Sequence, residues 1–194
     1  MTWADLIAEV RAQIDVTDNQ AYAWLLDRAR IMNAETDWGL MAVLLTGVTD
    51  QVEHPLGPDV IKVEAVVVDR VPYRRSTLAG LDHARTVCST KPIYAGAPGW
   101  PIVSIWPPPT DGAEITVRLL TDVPDDRAGS PFFPVDLHSC LADGAIATGL
   151  ARMDERFDSA GYFEARFTDG VARLRRRRHS RVGRGGVAIR LMPR

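Results

Sequence analysis

Residues 154–181 read DERFDSAGYFEARFTDGVARLRRRRHSR, and their apolar spacing dictates what the rest of the chain must supply. Ala160, Phe163, Phe167, Val171 and Leu174 follow one another at steps of 3, 4, 4 and 3 residues. That is the period of an α-helix, so the stretch predicts one long helix with an apolar face that needs a partner. Past Leu174 come Arg175, Arg176, Arg177, Arg178, His179, Ser180 and Arg181, then a Gly-rich segment carrying Val187, Ile189 and Leu191. A packed helix that becomes a charged, apolar-tipped tail is suited to reaching another molecule.

The partners lie on either side in sequence. Just upstream, Pro134 is a favoured first helical residue. Leu137, Leu141, Ala145, Ile146 and Leu150 supply an apolar face, and Gly144, Ala145, Ala147 and Gly149 keep that helix slim enough for close approach. At the other end of the chain, Thr2 caps a helix with Trp3, Leu6, Ile7, Val10 and Ile14 on one side. Thr17-x-x-Gln20 matches a capping box for a second helix to about Ala34. Its predicted inner side carries Ala21, Trp24, Leu25, the stem of Arg28, Ile31 and Met32. The short link makes these two helices antiparallel neighbours.

From Trp38 the period changes. Leu40–Leu45 is a short apolar run suited to a strand, with Gln51–His54 as its expected hairpin partner. Val60–Val68 is rich in β-branched residues, Asp69-Arg70 is a turn, and Val71–Arg75 returns. Thr77 caps a short helix, Leu78–His83. Prolines and glycines crowd residues 86–112, and Ile102–Trp106 and Ile115–Leu120 read as strands hemmed by them. The predicted class is α+β: a helical bundle of about four main helices, a β-rich insertion of five or six short strands, and an extended C-terminal arm. The boundaries expected are 1–37 and 124–180 for the bundle, 38–123 for the insertion and 181–194 for the arm. Residues from about 180 onward are expected to be disordered in isolation.

The net charge of −2 hides a division. Residues 171–194 hold nine Arg and no acid, so the other 170 residues hold 14 basic groups against 25 acidic ones. A basic tail on an acidic body seeks an acidic partner, either nucleic acid or an acidic protein surface. No apolar run approaches the ~20 residues of a membrane span. The N-terminus shows no secretory signal, and Cys88 and Cys140 read as two reduced, buried thiols, which point to synthesis in the cytoplasm.

No catalytic set emerges. His54, His83, His138 and His179 are isolated, without metal-ligand spacing. Ser139 beside His138 lacks a nucleophile elbow. Asp125-Asp126 and Asp154-Glu155 suit turns and helix starts better than acid–base work. Gly183-Arg184-Gly185-Gly186 is not a phosphate loop. Neither an enzyme nor a cofactor is expected.

The arginine run carries the functional signal. One or two cations would suit a helix C-terminus through the macrodipole, but a run of this length exceeds that need. Arg184-Gly185-Gly186 resembles a fragment of an RGG segment, which suggests nucleic acid. RGG segments are repeated, however, and lack an apolar strip. Val187-Ala188-Ile189-Arg190-Leu191 alternates at period two and suits strand addition to a partner's sheet edge. Protein docking is therefore the preferred reading and nucleic-acid binding through the Arg-rich segment the alternative. The predicted docking residues are Arg175, Arg176, Arg177, Arg178, Arg181, Arg184, Val187, Ile189 and Leu191.

Several stretches together carry a family resemblance. They are the helix Ala21–Met32 followed by Trp38; Gln51-x-x-x-Pro55-Leu56-x-Pro58-Asp59-Val60-Ile61-Lys62-Val63; Ile105-Trp106-Pro107-Pro108-Pro109; Phe133-Pro134-x-Asp136-Leu137-His138; and the helix beginning Asp154-Glu155-Arg156-Phe157. In this order they resemble the head-to-tail adaptor (connector, or head-completion) proteins of tailed bacteriophages. The resemblance implies a ring of twelve copies beneath the portal protein, above the next neck or tail-completion protein. It also implies that double-stranded DNA passes through the channel without sequence-specific binding, and that the C-terminal segment reaches up to the portal. The implied location is the virion neck, after synthesis in the bacterial host cytoplasm, with no membrane partner.

Overall fold

The computed structural model describes the backbone of residues 1–152, 157–182 and 188–191, and the side chains of 1–152 and 158–178. The fold is α+β, as the sequence patterns predict. It divides into two compact units, one of Met1–Trp38 with Val123–Gly185, the other of Gly39–Asp122 with Gly186–Arg194.

The helical unit begins with α1 (Trp3–Gln13) and α2 (Asp18–Thr36). Both start at reciprocal caps. Thr2 Oγ1 accepts from Asp5 N while Thr2 N donates to Asp5 Oδ2 at 2.7 Å, and Thr17 and Gln20 repeat the arrangement. Two orphan amides are thus satisfied at each start. A single 3-10 turn, Val135–Leu137, leads into α4 (His138–Arg152), and α5 (Phe157–Val182) follows; the intervening short helix α3 (Leu78–Thr86) belongs to the other unit. The core joins Trp3, Leu6, Leu25, Met32, Leu141 and Leu174, all nearly inaccessible. Ala160, Phe167, Val171 and Leu174 are buried as the apolar period requires, and Phe163 is half-buried against them. Arg28 ties three helices together: its Nη1 donates to Glu164 Oε1 at 2.8 Å, its Nε to Thr148 Oγ1 at 2.9 Å, and its guanidinium lies 5.1 Å from the Phe167 ring centre.

Some side chains depart from expectation. Ile31, predicted inward, is 41% exposed. It sits roughly 120° around α2 from the Leu25–Met32 line, so the α2 stripe passes it by. Cys88 is exposed, because the chain leaves α3 through a left-handed residue (φ 48) at that position; Cys140 is buried.

The β unit is one sheet of eight strands in the order β2-β6-β5-β4-β3-β7-β1-β8. The strands are β1 (Leu40–Thr46), β2 (Glu53–Pro55), β3 (Val60–Val68), β4 (Val71–Arg75), β5 (Ile93–Ala95), β6 (Ile102–Trp106), β7 (Glu114–Thr121) and β8 (Ala188–Leu191). Asp69 and Arg70, both at positive φ, make the tight turn between β3 and β4. The expected hairpin of residues 40–45 with 51–54 does not form. β1 pairs instead with β7 through seven residue pairs, Leu40↔Leu120 to Thr46↔Glu114, and β2 pairs with β6. The longer ladder satisfies more backbone groups than a three-residue partner could, and that difference decides the pairing. β5 escapes sequence reading because three residues between Pro92 and Gly96 are too few to show alternation. The sheet packs Val43, Val63, Val66, Ile105, Ile115 and Val117 into its own core.

The two long C-terminal helices approach closely. A Cβ added at Gly144 would lie 2.7 Å from a Phe167 ring carbon, and one at Gly170 would lie 2.6 Å from both Cβ and Sγ of Cys140. Gly161, one helix face away, has nothing within 4 Å. Both Gly161→Ala and Gly170→Ala gain helix propensity worth about 0.5–1 kcal/mol. Only Gly170→Ala must also push helices apart, at roughly 1–3 kcal/mol. In urea unfolding, Gly161→Ala should therefore stabilise the chain and Gly170→Ala should destabilise it.

Candidate functional site

The predicted docking residues begin on the last turns of α5, and helical geometry sorts them. Leu174 points inward and is fully buried. At roughly 100° per residue, Arg175 and Arg178 fall on one flank of Leu174, Arg173 and Arg177 on the other, and Arg176 on the far side. The contacts follow this wheel. Arg175 Nη2 donates to Glu35 Oε2 at 3.2 Å and to the Glu35 carbonyl at 3.3 Å; Arg178 Nη1 donates to Asp37 Oδ2 at 2.6 Å. On the opposite flank Arg177 grips Asp136 with two parallel bonds of 2.8 and 2.6 Å. Arg173 pairs with Asp169 at 3.1 Å and donates from Nη2 to Cys140 Sγ at 3.2 Å. Arg176 is exposed and takes no ion pair among the described residues.

The counter-charges have their own logic. Glu35 and Asp37 sit at the C-terminal end of α2, where the partial negative charge of the helix disfavours carboxylates. Asp37 is also left-handed, at φ 48. Arg175 and Arg178 offset both charges. Asp136 lies in the turn before α4, and its hydrogen bonds from Arg177 hold its carboxyl below the ordinary value of 3.8. The acids that receive the run were not legible as its partners. A signal existed in the two carboxylates at a helix C-terminus, which ask for a nearby cation.

The run is thus part of α5, which continues to Val182. Arg181 lies on its last turn, with its side chain outside the described residues. Arg184 and Val187 also lie outside them, as does Asp154-Glu155. Ile189 and Leu191 belong to β8. The expected disorder after about residue 180 is replaced there by a parallel edge strand, with Met41↔Ala188, Ala42↔Ile189, Val43↔Arg190 and Leu44↔Leu191 in register. An open strand edge attracts an alternating segment because its amide and carbonyl groups otherwise lack partners. The tail's predicted affinity for a sheet edge is met by the chain's own sheet.

His138 and His54 occupy structural places, and His83 is exposed. His138 is buried, with its ring nitrogens 3.1 and 2.8 Å from the carbonyl oxygens of Met1 and Phe133. His54 is buried on β2, where loss of solvent lowers its pKa. Asp125 accepts a bond from the Tyr22 hydroxyl at 2.6 Å, and Asp126 accepts from Ala128 N at 3.2 Å, so that pair shapes a turn. Among the described residues no group of three or more His, Cys, Asp or Glu is arranged to hold a metal ion. Nor, among them, is any helix long and apolar enough to cross a membrane.

A family model described as SU10 adaptor protein matches residues 1–190, nearly the full 194-residue chain. Among curated proteins none matches the chain.

Two outcomes follow from the arginine geometry. Arg178→Gln breaks a half-buried ion pair and should destabilise the chain by about 1 kcal/mol, while Arg176→Gln should stay within about 0.5 kcal/mol of wild type, both read by chemical unfolding. The Asp136 carboxyl is lowered in the folded state, so its pairing stabilises the fold above the ordinary value of 3.8 and is lost as pH falls through the depressed one. Asp136→Asn should therefore lower the melting temperature at pH 7 and match wild type in acid.

Proposed function

The chain belongs to the SU10 adaptor protein family, and on that footing we propose that it forms a ring below the portal of a tailed phage. The ring joins head to tail and continues the DNA channel, with the C-terminal arm docking on the portal. Its family is that of a phage adaptor, a structural rather than catalytic component of the virion. The observation that carries the finer reading is the match across residues 1–190. It covers the bundle, the β insertion and the start of the tail together.

The physical chemistry is consistent with a channel. Residues 1–170 hold 14 basic groups against 25 acidic ones, and such a wall repeated around a pore repels DNA and lets it slide. The nucleic-acid alternative is weakened by the same contacts that sort the arginine run. Arg175, Arg177 and Arg178 already neutralise Glu35, Asp136 and Asp37. The arm is better suited to protein. β8 is held to β1 along a sheet edge by a stretch of four residues, a contact short enough to exchange for a partner's. Twelve copies would multiply a modest docking contact by avidity.

Deletion of residues 182–194 tests the docking role directly. The truncated chain should keep its helical circular dichroism and lose co-purification with the portal protein. Retention of portal at the wild-type level by the truncated chain would remove the arm from the interface. Native mass spectrometry of the full chain mixed with portal should show twelve copies.

A further inference from the structure

Charges in the helical unit are largely neutralised where they stand: eight of its arginines meet a carboxylate within salt-bridge distance. The β unit is different. Arg74, Arg75, Arg85 and Lys91 are all exposed, and among the described residues none of them takes an ion pair. Backbone bonds gather most of them in one place. Arg74 N donates to the Pro92 carbonyl at 2.9 Å, which sets Arg74 beside Lys91. Cys88 N donates to the Arg85 carbonyl at 3.2 Å and Ser89 N to the Ala84 carbonyl at 2.8 Å, which closes the turn on the end of α3, and Lys91 N donates to Ser89 Oγ at 3.2 Å, which holds Lys91 to that turn. Asp82 is the one carboxylate between residues 70 and 91. Val87 and Leu78 add exposed apolar surface, at 56% and 38% accessibility.

The start of β4 has the opposite character. Three turns are tied together there: Gly47 N donates to the Ala113 carbonyl at 2.8 Å, Gly112 N to the Gly47 carbonyl at 3.0 Å, and Asp69 N to the Glu114 carbonyl at 2.9 Å. Asp50, Asp69, Asp111 and Glu114 are exposed on these turns and take no ion pair among the described residues. Arg70 is the single cation among them. Val48 and Val71 are each about half exposed, at 50% and 49%.

β4 runs from the acidic turns to the basic one. Its five residues, at roughly 3.3 Å per step, hold the two ends about 13 Å apart. That exceeds the Debye length of about 8 Å at physiological salt, so the two patches cannot neutralise each other within one chain. On two copies they can. We propose that the basic turn around Arg74, Arg85 and Lys91 docks on the acidic turns around Asp50, Asp111 and Glu114 of a second copy of this chain. Exposed valines at both patches, with Leu78, supply an apolar centre inside the charged contact. A contact between two different patches is head-to-tail, and repetition closes such contacts into a ring when the rotation fits. This inference rests on the ring reading above and names the surfaces that build it.

Charge reversal on the full-length chain, scored by native mass spectrometry with and without portal, separates the outcomes. Arg74→Glu, Arg85→Glu and Lys91→Glu together should abolish the ring, and Asp50→Arg, Asp111→Arg and Glu114→Arg together should do the same. Mixing the two reversed chains one to one should restore a ring in which they alternate. Milder neutral variants, Arg74→Gln with Lys91→Gln, should lower ring yield without touching helical circular dichroism. If wild type forms the ring and the reversed chains form it equally well, the assigned contact is wrong while the ring stands. If wild type forms no ring in either condition, the ring reading falls and this contact with it. Reversed chains that still form rings but lose retention of duplex DNA would overturn the contact in favour of a phosphate-binding face.

Discussion

The close approach of α4 and α5 is the constraint on which the helical unit depends. Gly144 lies under the Phe167 ring and Gly170 against Cys140, where a single methyl group would not fit. Gly149 makes the same allowance for Ile14 and Trp24. Glycine costs helix propensity at each of these places, and the density of the packed core offsets it. The apolar stripe from Ala160 to Leu174 is useful only because a slim helix lies opposite it.

Once Leu174 is seated, the arginines that follow it have no freedom of direction. The helical turn sends Arg175 and Arg178 to the end of α2 and Arg177 to the turn before α4. Arg175 and Arg178 thereby set cations against Glu35 and Asp37, carboxylates that the α2 dipole disfavours. A cluster that reads in sequence as a patch for a partner is, for three of its members, a clamp within the fold. Buried charge elsewhere is handled in the same way: Asp143 on α4 meets Arg166 at 3.2 Å, and burial still raises its carboxyl pKa.

The β unit manages its edge with the chain's own end. β8 lies on β1 and covers backbone groups that would otherwise invite another strand. The same unit carries exposed charge at both ends of β4, acidic at its start and basic at its end.

Much of this architecture was legible in the chain. The helices read at about 2–14, 17–34 and 158–178, the caps at Thr2 and Thr17, and the strands read at 40–45, 60–68, 71–75, 102–106 and 115–120 follow from local spacing and turn chemistry, and each falls on an element of the fold. The class α+β follows from their order, and the quoted stretches carry the resemblance to phage adaptors that the family match over residues 1–190 bears out. What local spacing does not contain is pairing. It placed Ile31 inside, joined residues 51–54 to 40–45, passed over β5, and read Cys88 as buried. The pairing is decided by a competition between distant segments, a seven-residue ladder against a three-residue one; the other three turn on local details, the angle of Ile31 around α2, the shortness of β5 and the left-handed backbone at Cys88. The sequence by itself determined the elements and the presence of a basic tail. Only the tertiary structure decided which arginines are spent on Glu35, Asp37 and Asp136 and which strand covers the β1 edge, because both answers depend on where residues far apart in the chain come to lie.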